Sequence, residues 1–439
     1  MANGSQVAKV DTMSGLTGLT HDIFVGRVVN NVRRESKTAQ VFQDAQPGEY
    51  RLEGQHLVGA ADLRFVTGAM ATDGKLPDHV GMDAVQWQMQ PVRRYRRIAL
   101  DNLVEKRASG PGAYDDLAGR IFDQLWDSWK NMEVRQAVGS TTGYIAAVSS
   151  RTSSTVVVLK DGYNHTLTNP IQHLSEGAVV AWLDSSAAFV VAGAAKISSI
   201  NYSTNAVTLD SASTWEPSAT TAAGDIIVFA TTNDITKDYF TTEANLAPNG
   251  IGSIVDPDAV NTTVHNISQT TYPRWKPYRK TSATFDHLEV TEHWLALAAK
   301  RGFDVTPGED VCIAHPAVLA QLSRTLVGFQ QQANLGGELK GGYTGVMIAG
   351  MPFISDSFFY HDVMVTLNKP SLFRVNLGGD ADVWGEDGSQ FSRLADFDGK
   401  EAFAVDYMNQ FCPARGVNGA LTAIAVDVTS SDFDAVPNY

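Results

Sequence analysis

The stretch Ala113–Val138, AYDDLAGRIFDQLWDSWKNMEVRQAV, constrains the fold more than any other part of the chain. Leu117, Ile121, Leu125 and Trp129 recur every four residues, and Tyr114, Phe122, Trp126 and Met132 widen that stripe on both sides. This is the apolar face of an amphipathic helix, broader than a coiled-coil seam. Asp115 and Asp116 fall in the first turn and Arg135 in the last, each matched to the helix dipole. Gly110-Pro111-Gly112 breaks the chain before the helix, and Gly139 predicts its stop. At about 1.5 Å per residue the helix spans roughly 39 Å, so it must lie across a sheet or another layer.

The segments before this helix are extended and polar. Residues 1–47 have little apolar periodicity beyond a patch at Ile23–Val29 and read as an N-terminal arm. Residues 48–100 read as a long hairpin, with a turn-like tip at Gly68–Gly81. Its return strand alternates strictly through Gln86, Trp87, Gln88, Met89 and Gln90. Pro91 interrupts that strand, and Arg93, Arg94, Arg96 and Arg97 close it. Alternation puts Arg93 and Arg97 on the side of Trp87 and Met89, with Arg94 and Arg96 on the other. A two-stranded ribbon without a core of its own needs a partner surface. Residues 101–138 then carry the long helix.

Residues 139–233 change character, with Ser, Thr, Ala and Val dominant. Val148–Leu159 resembles Ile200–Leu209, and Gly177–Leu183 resembles Gly224–Ala230. Two strand–turn–strand units at this spacing predict a small closed β-barrel, inserted where the helix ends. From residue 234 an α/β pattern resumes. His287–Arg301 reads as a helix stopped by Gly302, Asp310–Ala314 as a buried strand, and Pro316 as the start of a second helix. Tyr272 and Trp275 read as anchors in an extended segment. Residues 346–439 read as short strands with a turn at Asp387-Gly388, then an acidic tail.

Charge follows these divisions. Residues 1–138 hold 17 basic and 17 acidic side chains, 139–232 hold 3 and 6, and 233–439 hold 14 and 25. The chain as a whole is at −14, so there is no long-range basic field. No run of apolar residues is long enough to span a membrane, and the first residues do not read as a signal peptide. Cys312 and Cys412 offer no metal spacing and read as buried thiols.

Four features invite a chemical reading. Asp380, Asp382, Gly385, Glu386 and Asp387 begin like a calcium loop, but Trp384 and Phe391 fall where ligands are needed, which leaves a solvated hairpin. Gly336–Gly345 contains Lys340 but no following Ser or Thr and no following helix, so it is a loop and not a phosphate cradle. His287, His293, His315 and His361 lack ligand spacing, and no Gly-x-Ser-x-Gly elbow exists. No catalytic, cofactor or metal residue is assigned, and the chain reads as a non-enzyme. The fourth feature is the arginine cluster. Its guanidiniums repel one another unless acidic partners are near. A solvated strand end is one reading. Pairing with the acidic C-terminal half of another copy is preferred over DNA because the chain is acidic. Trp87, Arg93, Arg94, Arg96 and Arg97 are therefore the expected inter-subunit contacts.

In this order the parts resemble the major capsid proteins of tailed double-stranded DNA phages, the Hong Kong 97-type fold. The resemblance rests on the arm, the extended loop at 48–100, and the helix at 113–138 as a spine helix. It continues through TEHWLALAAKRG…DVCIAHPAVLAQL as an axial domain within 234–345. QTTYPRW at Gln269–Trp275 and the run GVMIAGMPFISDS…VWGEDGSQFSRLADFDGKEAFAVDYMNQF, as peripheral-domain strands within 346–439, complete it. The resemblance implies an α+β fold with a β-barrel insertion domain. It implies pentamers and hexamers of an icosahedral head, assembled in the host cytoplasm and found in the virion. The partners implied are further copies of the chain, a separate scaffolding protein, a portal protein, packaged double-stranded DNA on the inner face and a decoration protein, with no membrane and no cofactor. Lys75 is the one lysine of the extended loop, and nothing identifies a crosslinking partner for it. The alternative is a cellular nanocompartment shell of the same fold enclosing protein cargo.

Overall fold

The computed structural model describes residues 37–46, 49–61, 85–101, 132–153, 155–160, 171, 173–184, 190–210, 225–238, 240–256, 262–330, 347–348, 351–377, 382–384, 392–393 and 399–426. The expected arm up to residue 36, the hairpin tip, most of the long helix, the glycine loop, Asp387-Gly388 and the acidic tail lie outside these. Of the expected long helix only residues 132–138 are described; they are helical and are followed by Gly139.

The central sheet of the C-terminal half has six strands in the order Tyr278–Thr281, Gly419–Thr422, Met364–Asn368, Asp310–Ala314, Met351–Ser355 and Met347–Ile348. Asp310–Ala314 lies between two neighbours and is buried along its whole length, which fits its apolar run. The sheet buries both faces. Cys312, Ala314, Met364 and Leu421 meet Val290 and Trp294 of the His287–Arg301 helix and Val318, Leu319 and Leu322 of the Pro316–Gln330 helix. Val311, Ile313, Val365 and Leu367 face the other way, against Ala137 and Val138 of the long helix, Ile251, Ile254 and Phe359.

Both helices follow their local signals. Asp286 caps the first by accepting the Glu289 N–H, and Gly302 ends it in the left-handed region at φ 85°. The second opens at Pro316, with the His315 ring nitrogen Nδ1 accepting the Ala317 N–H.

The strands between Ala146 and Phe229 close a six-stranded barrel, all pairs antiparallel. Ala146–Arg151 pairs with Val156–Lys160, and Val190–Asn201 with Ala206–Leu209, so each repeated unit is a hairpin. Val179–Asp184 and Ile226–Phe229, the other repeated pair, lie side by side. Alternation sends Val180, Trp182 and Ile227 into the barrel. Ala181, Leu183, Ile226 and Val228 point outward under Phe240 and Ala244. Cys312 and Cys412 are free and buried.

Three sequence expectations are corrected. The return strand of the hairpin does not run on through Pro91. Val85–Met89 pairs with His56–Ala61, whereas Val92–Asp101 joins a second sheet along the long strand Gly399–Phe411. A proline without an N–H separates the two sheets. The hairpin base also has a core: Leu57, Trp87 and Met89 pack with Ile267, Trp275, Val375 and Phe411. The strands on either side of Asp387-Gly388 are not a hairpin pair. Asp382–Trp384 and Ser392–Arg393 both run antiparallel to Gly399–Phe411, one after the other.

Candidate assembly interface

The expected contact residues lie on the two strands that diverge at Pro91. Trp87 is 1% exposed, and its indole stacks on Phe411 with ring centroids 4.6 Å apart. His265 and Trp275 complete the pocket, and the Trp275 Nε1–H donates to the Val264 carbonyl at 3.2 Å. Trp87 therefore faces the interior of its own subunit, a correction to its expected place at a contact. Its indole is shielded because the hairpin base closes over Phe411.

Arg94 is also buried, and its guanidinium pairs with the Asp406 carboxylate of the same chain. The two residues are directly opposite in the strand ladder. A second nitrogen of the guanidinium donates to Gln136 Oε1 at 3.1 Å, on the end of the long helix. Burial lowers the Arg94 pKa to about 10, opposed by the nearby Glu133. The expected partner, a carboxylate of the C-terminal half, is the one found, but within one subunit. Arg93 is exposed and sits opposite Tyr407, itself 36% exposed. Arg96 and Arg97 are placed by pairing with Ala404 and Phe403, and their side chains lie outside the described residues.

Around Arg94 the arm, helix, hairpin base and sheets are tied together by polar groups that the sequence did not single out. Arg374 donates to Glu133 at 2.7 Å and to Asp44 of the arm at 2.9 Å. Asp44 belongs to a short strand, Gln43–Asp44, lying parallel to Phe373–Asn376. Asp356 accepts from both the backbone N–H and the hydroxyl of Thr38, at 3.0 and 2.6 Å, so the arm is held at a second point. Arg135 pairs with Glu243 at 2.6 Å and covers the Phe229 ring. Asn409 accepts from the Asn249 N–H at 3.0 Å and donates to the Gln90 carbonyl at 2.6 Å. Asp406 and Asn409 carry a sequence signal in hindsight, as polar breaks in the apolar run AFAVDYMNQF. Arg415 carries none: it is fully buried, donating to the Ile254 and Ser253 carbonyls at 2.6 and 3.1 Å.

These groups are structural pairs. Among the described residues no three His, Cys, Asp or Glu side chains are placed to hold a metal. His265, His293, His315 and His361 are held neutral by burial, with pKa values lowered to about 3, 4, 3 and 4.

No family model matches the chain, and no curated protein is similar to it in sequence. Among solved structures, the chain is similar to the capsid asymmetric unit of cyanophage A-1(L), at 12% identity and a TM-score of 0.53, covering 91% of this chain and 96% of that one. The capsid of an empty GTA particle is 7% identical at a TM-score of 0.45, covering 92% and 96%. The holo-SrpI encapsulin complex of Synechococcus elongatus PCC 7942 is 8% identical at 0.42, covering 93% and 96%. The first likeness covers about nine-tenths of the chain and shows a shared fold; the other two carry no weight in that conclusion. The chain has the Hong Kong 97-type capsid fold, α+β with an inserted β-barrel.

Proposed function

We propose that the chain is the shell subunit, the major capsid protein, of a tailed phage. Copies assemble into pentamers and hexamers of an icosahedral head around double-stranded DNA. The observation that carries this reading is the likeness in fold to the cyanophage capsid unit over 91% of one chain and 96% of the other. The polar junction supports it: the buried Arg94, Asp406 and Asn409 hold elements together and present no reactive group. In this reading the chain is not an enzyme. It works with a separate scaffolding protein and a portal, and resides in the virion after assembly in the host cytoplasm. Of the expected contact residues, Arg93 retains an outward side chain for a neighbouring copy. Arg96 and Arg97 are proposed with it.

The second reading is a nanocompartment shell enclosing protein cargo. Nuclease treatment of purified native particles, followed by analysis of what they hold, separates the two. Protected duplex DNA supports the phage head. A packaged enzyme without DNA overturns it in favour of the nanocompartment.

A further inference from the structure

The segment Pro273–Lys280, PRWKPYRK, holds four cations and no carboxylate, in a chain whose net charge is −14. The structure divides them. Lys280 pairs with Glu292 at 2.8 Å and Arg279 with Asp256 at 2.8 Å. Arg274 and Lys276 are exposed. They are turned outward because Trp275 between them is fully buried and Pro277 beyond them is buried too. A third exposed cation joins from another element. Lys300, in the last turn of the His287–Arg301 helix, donates from Nζ to the Lys276 carbonyl at 2.6 Å. Neither Lys276 nor Lys300 has an ion-pair partner among the described residues.

The ledge beneath them is closely packed. Gly416 lies so close to the backbone of Arg274 that a Cβ there would come within 1.9 Å of its carbonyl oxygen. Arg415, next to it, is wholly buried. The local field is positive: after burial, Lys276, Arg279 and Arg415 each act to lower the Lys300 pKa, to about 8.

We propose that Arg274, Lys276 and Lys300 form the surface on which this chain meets the phosphate backbone of duplex DNA. This rests on the reading of the chain as a shell around DNA, and it names the residues that make the contact. On so acidic a protein, phosphates approach where cations are gathered, and Lys276 and Lys300 bring two that no carboxylate among the described residues neutralises. The composition fits a polyanion better than another copy of the chain, because lysine is depleted at protein–protein interfaces and is common at phosphate contacts. Contacts of this kind carry no sequence preference.

The test titrates the full chain into a short fluorescent duplex of arbitrary sequence over about 50 to 200 mM salt. Wild type is compared with the Arg274→Gln/Lys276→Gln/Lys300→Gln variant and with a barrel control of equal charge loss, Arg151→Gln/Lys160→Gln/Lys196→Gln. The same samples are imaged for shells. Each phosphate contact contributes a slope of about 0.9 in log affinity against log salt, so the three together predict a slope reduced by between 2 and 3, or roughly 40-fold less loss of affinity across that range. Shells that form normally with the slope reduced only in the patch variant support the proposal. An unchanged slope overturns it, as does an equal reduction in the barrel control. A patch variant that binds DNA like wild type but forms no shells overturns it in favour of contact with another copy. Wild-type shells without DNA binding overturn the patch and leave the shell reading standing. Patch-dependent DNA binding without shells from any sample does the reverse.

Discussion

The Trp87 indole lies on the Phe411 ring at 4.6 Å between centroids and 26° between planes, joining the base of the extended hairpin to the last residue of the long strand. Phe373 also stacks with Phe411, at 5.2 Å. The base of the hairpin is thus anchored in a built core. Trp87→Ala should cost about 3–5 kcal/mol, the usual range for a large buried aromatic. Gly59 provides a check from the opposite direction, because a Cβ there would come within 2.4 Å of the Trp87 ring. Gly59→Ala should cost about 1–3 kcal/mol by overpacking. Urea denaturation of unassembled subunits measures both, and an unchanged midpoint in either would show that the hairpin base is not packed in this way.

The buried Arg94–Asp406 pair makes a different prediction. Removing one partner strands a charge in the interior, so Arg94→Ala or Asp406→Asn should each cost about 3–5 kcal/mol. Arg94→Met with Asp406→Leu should recover more than half of that loss. Arg94→Glu should damage folding itself, since it sets two carboxylates face to face. A double-mutant cycle showing simple additivity would mean that the pair is not formed.

Some of this was legible in the chain and some was not. The His287–Arg301 helix announces itself through the Asp286 cap and Gly302, and the barrel through its repeated hairpins, because those signals are local. The strand Asp310–Ala314 is an unbroken apolar run after Asp310, which is what burial on both faces requires. The Arg94 site could not be read in the same way. Its partner lies 312 residues away, and the strand reaches it only because the chain leaves one sheet for another at Pro91. Alternation carried through the proline therefore put Arg93 with Trp87 and Met89, whereas Arg93 is exposed and the other two are buried. The cation pair at Lys276 and Lys300 was hidden for a similar reason, since a helix end and an extended segment meet only in the fold.

Acid should weaken the subunit before it affects exposed charges. The pKa values of His265, His293, His315 and His361 are all lowered from the ordinary 6.5, in each case chiefly by burial. His315 and His361 meet edge to face at 4.2 Å, so a charge on either is opposed by the other. The unfolded chain takes up protons below about 6.5 while the folded chain does not, so stability is full above that pH and falls as the pH drops toward 4. Each histidine contributes a slope of up to about 1.4 kcal/mol per pH unit. His315→Asn keeps an acceptor for the Ala317 N–H and removes one titrating group. Its melting temperature should depend less steeply on pH between 6.5 and 4 than that of wild type. Parallel curves would show that His315 is not held neutral.

The barrel should fold outside the rest of the chain, because its interior is closed by its own strands. Its outer face is not self-sufficient. Phe240 and Ala244 cover Ile226, Val228 and Leu183, and the Glu243 N–H donates to the Phe229 carbonyl at 3.0 Å. A fragment of residues 139–246 should therefore melt cooperatively and at a higher temperature than one of 139–233. Equal melting temperatures would show that the covering segment adds nothing, and disordered fragments would show that the barrel depends on the remaining chain.

Electron microscopy of the purified protein, with its scaffolding partner supplied, shows whether this chain is a shell subunit. Closed particles of icosahedral outline, with rings of five and six subunits, are expected. A protein that remains a monodisperse monomer at high concentration under those conditions would contradict the shell reading.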